Sequence, residues 1–579
     1  MASNPLPAPL PSLPSRRTLI LLAVLLALVW FGCLEYRHLI RTDEGRYAEI
    51  AREMFASGDW VTIRYNDYKY FEKPPLQAWA TALAYELFDV GAWQARLWTA
   101  LTGFLTVLAA GFAGAALFGR AAGLLAAVML AGAPMWSGAS HFNTLDMGVS
   151  ATMCWALFAL LLAQRPGITA AAQRNWMWAC WAAMALAMLS KGLIGIVLPG
   201  LVLAVYTVLA RDWALWKRLH IVSGLAIFLV IAAPWFVLIA QRNPEFLQFF
   251  FIHEHFQRFT TNVHARQGPI YYFVPLLLVG FLPWLAQLVP AACRACREWL
   301  GKDAQAGAPG EPRPGVWANG LRPRLMLALW AGLIFAFFSV SHSKLSGYIV
   351  PIFPALALLA GDALAAGLPR WWPRQLLALG LISAAGLACT PLVAGLAKRP
   401  FEAPEYAAYA VWVGAALAVM LMGCILAWRL YRRGASPGGD GGTASVLAVS
   451  GAMFLTLMIA GNGHETLGRS LSGADLAAKV RPLLQPGDPF YAVRGLDHTM
   501  PFYLGTTMMM VQSSDELAFG AAQEPQKFSP DVEDFAKRWA GHTRAFAMMS
   551  PDTYEDLRQR GVPMREVARD ERRVIVTKP

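Results

Sequence analysis

Apolar runs of membrane-spanning length recur through most of the first 460 residues, separated by short polar stretches. Thirteen such segments are readable, at about 18–38, 97–118, 121–140, 147–164, 174–190, 192–210, 219–240, 269–292, 325–340, 346–367, 375–397, 407–428 and 443–462. Each approaches the ~20 apolar residues that a helix needs to cross a hydrocarbon core of ~30 Å. The run 76–88 is shorter and carries Glu86, so it predicts an amphipathic helix lying at the interface. From residue 463 the pattern changes. Helix-like stretches (474–484, 532–539, 551–560) alternate with short β-like runs (490–493, 507–511, 545–549, 573–576), which predicts a small α/β domain. The expected fold class is mainly α: a polytopic membrane helical bundle over 1–462, with juxtamembrane loops at about 41–96 and 241–268, and a soluble α/β domain over 463–579. Gly/Pro-rich stretches near 303–316 and 434–442 read as loops.

Charge then orients the bundle. With the N-terminus in the cytoplasm, the inside loops hold Arg16/Arg17, Arg120, Arg165/Arg174, Arg211/Lys217/Arg218, Arg294 to Arg324, Arg370/Arg374 and Arg429/Arg432/Arg433. Every one is basic, as the positive-inside rule asks. Counting 76–92 as a crossing would invert all later loops and break that pattern. Thirteen crossings put the terminal domain on the outer face.

Composition agrees: 56% hydrophobic and only 15% charged residues, with a mean hydropathy of +0.42. The net charge of +12 is explained by the basic inside loops, which argues against nucleic acid as a partner. Of seven cysteines, five lie in apolar runs, and Cys293/Cys296 form a lone C-x-x-C at the edge of a basic loop; no disulfide framework follows. Arg16-Arg17 before an apolar run has the charge pattern of a signal peptide, but the run is long and no A-x-A site follows, so it reads as a retained first helix.

The unusual residues gather on the outer face. They are Asp43-Glu44-Gly45-Arg46-Tyr47, then Tyr70-Phe71-Glu72-Lys73-Pro74-Pro75, Leu145-Asp146, Ser190-Lys191-Gly192, Glu254-His255-Phe256-Gln257-Arg258, and His342-Ser343-Lys344 running on to Tyr348. Ionisable groups at helix ends in so apolar a chain are costly and tend to be functional. Arg46, Lys73, Lys191, Arg258 and Lys344 run against the positive-inside bias, which suggests a phosphate partner, held with Tyr47, Tyr70 and Tyr348. Asp43, Glu44 and Asp146, with Lys73, are the candidate catalytic groups. Glu72 with His255, and less so His253, are candidate ligands for a divalent metal ion, the one cofactor considered. The competing structural readings are interfacial ion pairs and snorkelling side chains. Asp43 also suits the first turn of a helix continued by Arg46, Ile50 and Met54, and Glu72 suits a turn before Pro74.

The series D-E-G-R-Y-A, F-E-K-P, L-D, S-K-G, E-H-F-Q-R-F and S-K-L-x-x-Y-I-x-P, closed by a small α/β domain, resembles the lipid-linked-sugar glycosyltransferases of the GT-C fold. Within them the chain is most similar to the undecaprenyl-phosphate aminoarabinose transferases. Pro75-Leu76 after F-E-K-P suits the broader protein mannosyltransferase-like group as well. The resemblance implies transfer of 4-amino-4-deoxy-L-arabinose from undecaprenyl phosphate to lipid A phosphates, with inversion, in the bacterial inner membrane, and resistance to polymyxin and cationic peptides. It implies as partners the lipid-linked donor, the lipid A acceptor and the membrane lipids. The alternatives are a GT-C enzyme glycosylating a protein or another lipid and, in a different class, a lipid-sugar transporter or membrane sensor. A transporter needs polar groups at mid-membrane depth and broken helices there, whereas these islands cluster at one face.

Overall fold

The computed structural model describes residues 14–257, 268–301, 317, 319–433 and 441–579, the side chains of 255–257 and 515 excepted. Arg258, the loop 303–316 and most of 434–442 lie outside the described residues, as does the His255 side chain.

Each of the thirteen apolar segments contains helix. The first ten helices are α1 Arg16–Gly32, α2 Asp43–Ser57, α3 Leu76–Phe88, α4 Ala92–Phe118, α5 Arg120–Ala131, α6 Pro134–Ser140, α7 Leu145–Ala163, α8 Ala170–Lys191, α9 Ile194–Ala210 and α10 Ile221–Arg242. Among the described residues, seven helices are long and apolar enough to span a membrane, or up to ten if each bent pair counts once. In such helices the backbone satisfies its own polar groups, which hydrocarbon demands. Where a helix sits is written in its side chains. The spanning part of α7, where Gly148, Ser150, Ala151 and Thr152 follow one another or nearly so, is 89% buried at the bundle centre, whereas that of the Ile/Leu/Val-rich α10 is 17% buried and faces outward. Small residues let α4 and α5 touch backbone to backbone: a Cβ added at Gly114 would lie 2.8 Å from Gly123 Cα.

The segment 269–292 departs from expectation. It is not one helix but two, Phe273–Gly280 and Leu285–Trp299, meeting at 104°. Pro283 at the break has no N–H to continue the ladder, and the second piece turns amphipathic, with Arg294 on Asp362 (3.0 Å) and Glu298 on Arg324 (3.3 Å). Segments 121–140 and 375–397 are likewise bent, by 64° and 61°. The chain still changes face across the 104° break. Arg324 stacks on Phe118 at the end of α4, the Arg322 N–H donates to Tyr206 at the end of α9, and Asn319 donates to the Gln164 carbonyl after α7. The loops that share a charge pattern therefore share a face.

On the opposite face, α2 and α3 lie against the bundle, followed in chain order by α4. Between them, β1 Arg64–Tyr65 and β2 Tyr68–Lys69 form a hairpin whose two turn residues, Asn66 and Asp67, have φ of 51° and 63°. Two left-handed residues give the turn whose twist matches the strands. The terminal domain covers this hairpin. Its six-stranded sheet comprises β3 Phe490–Val493, β4 Met509–Val511, β5 Phe528–Ser529, β6 Phe546–Met549, β7 Arg565–Arg569 and β8 Val574–Thr577, in the order β5-β4-β3-β6-β8-β7. The first four in that order are parallel and the last two pair antiparallel. β5 and β7 were not legible in the sequence; the other four fall on the predicted runs.

The domain is clamped to the first loop. The Asn66 amide donates to the Met508 carbonyl and accepts from the Met508 N–H, both at 2.7 Å. Lys527 pairs with Asp67 (2.7 Å) and Arg64 with Glu524 (3.0 Å). Gly45 in α2 lies against the His498 carbonyl, where a Cβ would be 2.4 Å from the oxygen. Only glycine admits that approach.

Candidate active site

The site begins with how α2 is held. Glu44, in its first turn, is buried and grips Arg96 of α4 through two bonds of 2.7 and 2.9 Å, while accepting the Asn143 N–H at 3.1 Å. Arg96 spends its remaining donors on the carbonyls of Leu34, Arg37 and His38. Burial opposes ionisation of Glu44, but Arg96 beside it holds the carboxyl below its ordinary range. This corrects one expectation: Glu44 faces inward and anchors α2 instead of meeting a ligand.

With α2 fixed, its next residues turn outward. Asp43 is half-exposed and lies 3.3 Å from Arg46. The buried Arg46 guanidinium also meets Glu516, at 2.6 Å, from the terminal domain. Tyr47 and Tyr70 are buried beside it, and desolvation, with Glu72 adding to it for Tyr70, pushes both phenols above their ordinary range. They remain neutral donors. Beneath Glu516, His498 is hydrogen-bonded to the Tyr65 hydroxyl at 2.5 Å; burial, and then Arg46, push the imidazole down to about 4, so it is neutral at physiological pH.

Tyr70 leads to the next group, its hydroxyl donating to Glu72 Oε2 at 3.2 Å. Lys73 Nζ donates to the Glu72 carbonyl (2.9 Å) and to Glu254 Oε2 (3.3 Å), and lies 3.5 Å from Glu72 Oε2. Asp146, at the start of α7, pairs with Lys191, at the end of α8. Lys191 Nζ also stands 4.8 Å over the Tyr348 ring, a cation–π contact. Gly347 makes room for that pair, since a Cβ there would overlap the Asp146 carboxylate. Glu72, Lys73, Lys191 and Tyr348 open on one cavity of about 130 Å³, walled by Phe337 and Phe338 and edged by Glu254, Ser341 and Ser343. An ammonium beside apolar walls is little screened, which suits it to meet an anion.

Lys344 is elsewhere. Its Nζ donates to the carbonyls of Phe338, Ser339 and Ser341 at 3.3, 2.8 and 2.9 Å, so it caps the C-terminus of the helix Pro323–Val340. That is a favourable place for a cation and corrects its expected role as a phosphate ligand. His253 stacks on Phe249 and reaches Glu254 at 3.5 Å. No group of three His, Cys, Asp or Glu side chains among the described residues is arranged to hold a metal. Glu516, Phe337 and Phe338 belong to the site without having been singled out, and Glu254, named in one polar island, had been given no role. Glu254 sat beside a chosen histidine, whereas Glu516 carried no local signal at all.

The arrangement defines a polytopic membrane protein of the GT-C type, with a charged, aromatic-walled site at one bundle face beneath a small α/β domain. Residues 72–238 match the family described as dolichyl-phosphate-mannose-protein mannosyltransferase, and residues 476–578 match the aminoarabinose transferase C-terminal domain. The structure is similar to that of ArnT from Cupriavidus metallidurans bound to undecaprenyl phosphate: TM-score 0.89, 48% identity, 97% of this chain and 98% of that one. The same protein in the apo state gives a TM-score of 0.88. An undecaprenyl phosphate-α-4-amino-4-deoxy-L-arabinose arabinosyl transferase of Pseudomonas aeruginosa is 32% identical over 68% of this chain and 67% of its own length. That of Edwardsiella ictaluri is 31% identical, the match spanning 58% of each chain. The chain belongs to the aminoarabinose transferase family, as its motifs suggested.

Proposed function

We propose that this protein transfers 4-amino-4-deoxy-L-arabinose from undecaprenyl phosphate to a phosphate of lipid A. In this reading it works in the bacterial inner membrane, with the site and terminal domain facing the periplasm, and confers resistance to polymyxin and other cationic peptides. The observation that carries it is the placement of Lys73 and Lys191 on one aromatic-walled cavity at the membrane face, where a lipid phosphate arrives. The 48% identity to a transferase solved with undecaprenyl phosphate supports the choice of carrier.

In the reaction, an oxygen of the acceptor phosphate bonds to the anomeric carbon as the bond to the carrier's phosphate oxygen breaks. The electron pair departs with the carrier phosphate, and attack from the opposite side inverts the centre. Lys73 donates to the departing oxygens, exchanging its contact with Glu254 for one with phosphate. The half-exposed Asp43, paired with Arg46, is available to the sugar's ammonium group. A divalent cation at Glu72 and His255 belongs to the same proposal; metal analysis of the purified protein and of Glu72→Ala tests it.

A second reading, glycosylation of a protein or another lipid, draws on the mannosyltransferase match over residues 72–238. Mass spectrometry of lipid A from cells with and without the gene decides between them. The proposal requires aminoarabinose on lipid A only when the protein is present; unchanged lipid A with a new glycoprotein or glycolipid favours the second.

A further inference from the structure

A large cavity lies away from the candidate site. It is an apolar groove of about 830 Å³ between α1, α4, α5 and the helix Gly441–Gly463. Its origin is the way α1 is attached. Trp30, near the far end of α1, is fully buried: its indole N–H donates to the Ala100 carbonyl at 3.0 Å and its ring stacks on Phe454 at 5.9 Å. No other α1 residue is buried, and Leu22, Leu25 and Leu28 are exposed. The helix is therefore pinned at one end, and its Arg16 end leaves a wedge open along the bundle. From Arg16 to Val29, both on the groove wall, the helix rises roughly 20 Å at ~1.5 Å per residue. One leaflet's hydrocarbon is roughly half of ~30 Å.

The walls are apolar, with Leu25, Leu108 and Leu455 beside Gly111, Gly123 and Ala127, and the groove's mouth carries Arg16 and Arg120. Both arginines are exposed, and neither has an ion-pair partner among the described residues. Arg120 opens α5 on the bundle face opposite the candidate site, where α1 also begins. Apolar depth with two unpaired guanidinium groups at the mouth complements an amphiphile with an anionic head, since guanidinium matches phosphate oxygens bidentately. We propose that this groove binds one anionic phospholipid of the leaflet opposite the site, an acyl chain wedged beside α1 and its phosphate between Arg16 and Arg120. The inference is independent of the reaction proposed above.

The full-length protein, delipidated in detergent, is titrated with an equimolar mixture of phosphatidylglycerol and phosphatidylcholine of matched chains and read by native mass spectrometry. The wild type is expected to retain one phosphatidylglycerol in preference to phosphatidylcholine. Arg16→Ala with Arg120→Ala is expected to lower that preference on the order of tenfold. Gly451→Phe tests the groove itself: Gly451 is on its wall, and a Cβ there meets nothing within 4 Å, so the added side chain starts in open space and takes up groove volume. It is expected to lower binding of both lipids. Equal retention of the two lipids by the wild type, or an unchanged preference in the double variant, would overturn the proposal. So would a several-fold gain in binding on deleting residues 2–13, which would make the chain's own N-terminal segment the occupant.

Discussion

Lys73 and Lys344 are both lysines in short polar motifs at helix ends on one membrane face, and the sequence pattern suggests a phosphate partner for both. The structure separates them by their partners: a hydrogen-bonded carboxylate and carbonyl, with a second carboxylate close by, in a cavity for Lys73, and three backbone carbonyls for Lys344. Lys73→Ala is expected to lower the transfer rate about a hundredfold in a protein that still folds, the usual cost of losing one donor to a developing charge. Lys344→Ala should instead cost about 2 kcal/mol of stability, seen as a lower melting temperature in detergent, with turnover per folded molecule little changed. Identical behaviour of the two variants would contradict this assignment. Asp43 poses a different question. A phosphate acceptor is already an anion, whereas a hydroxyl acceptor needs a base. Asp43→Asn is therefore expected to slow transfer without removing any acidic limb from the pH–rate profile. A limb present in the wild type and absent from the variant would make Asp43 the base and favour a hydroxyl acceptor.

At the scale of elements, the apolar segments were legible because a long apolar run is a strong, local signal. Pro283 was visible in the sequence too, yet a proline inside an apolar run does not say whether a helix kinks or breaks. Much of the site was legible as residue types, since Glu72, Lys73, Asp146, Lys191 and Tyr348 do meet. What could not be read was commitment. Nothing near Glu44 shows that Arg96 consumes it, and nothing near Arg46 names Glu516. The hairpin around Asn66-Asp67 escaped notice because two-residue strands leave no period. Gly45 offers a test of how α2 meets the terminal domain. By helix propensity alone, Gly45→Ala should stabilise α2 by about 1 kcal/mol. The His498 carbonyl occupies the space a Cβ needs, so the expected outcome is the reverse: lower thermal stability, easier proteolytic release of the terminal domain and reduced transfer. A stabilised variant would mean that the domain does not rest on α2.

Across the whole molecule, the polar networks sort the loops into two sets, one around Arg324, Glu298 and Asp362 and the other around α2 and the terminal domain. With the basic set inside, an impermeant thiol reagent applied to intact cells should label Gln485→Cys, while the exposed Cys293 and Cys296 react only once the cells are opened. The opposite pattern would invert the orientation. The clasp between Asn66 and Met508 joins residues 442 apart in the chain. At ~5–20 residues per second, a ribosome takes roughly 20 to 90 s to travel between them. Throughout that interval the first outer loop exists without its cover, Arg46 without Glu516 and Asn66 without Met508. The terminal domain thus brings Glu516 to Arg46 only after every residue lining the Lys73 cavity has left the ribosome, so the two halves of the site are assembled at different times.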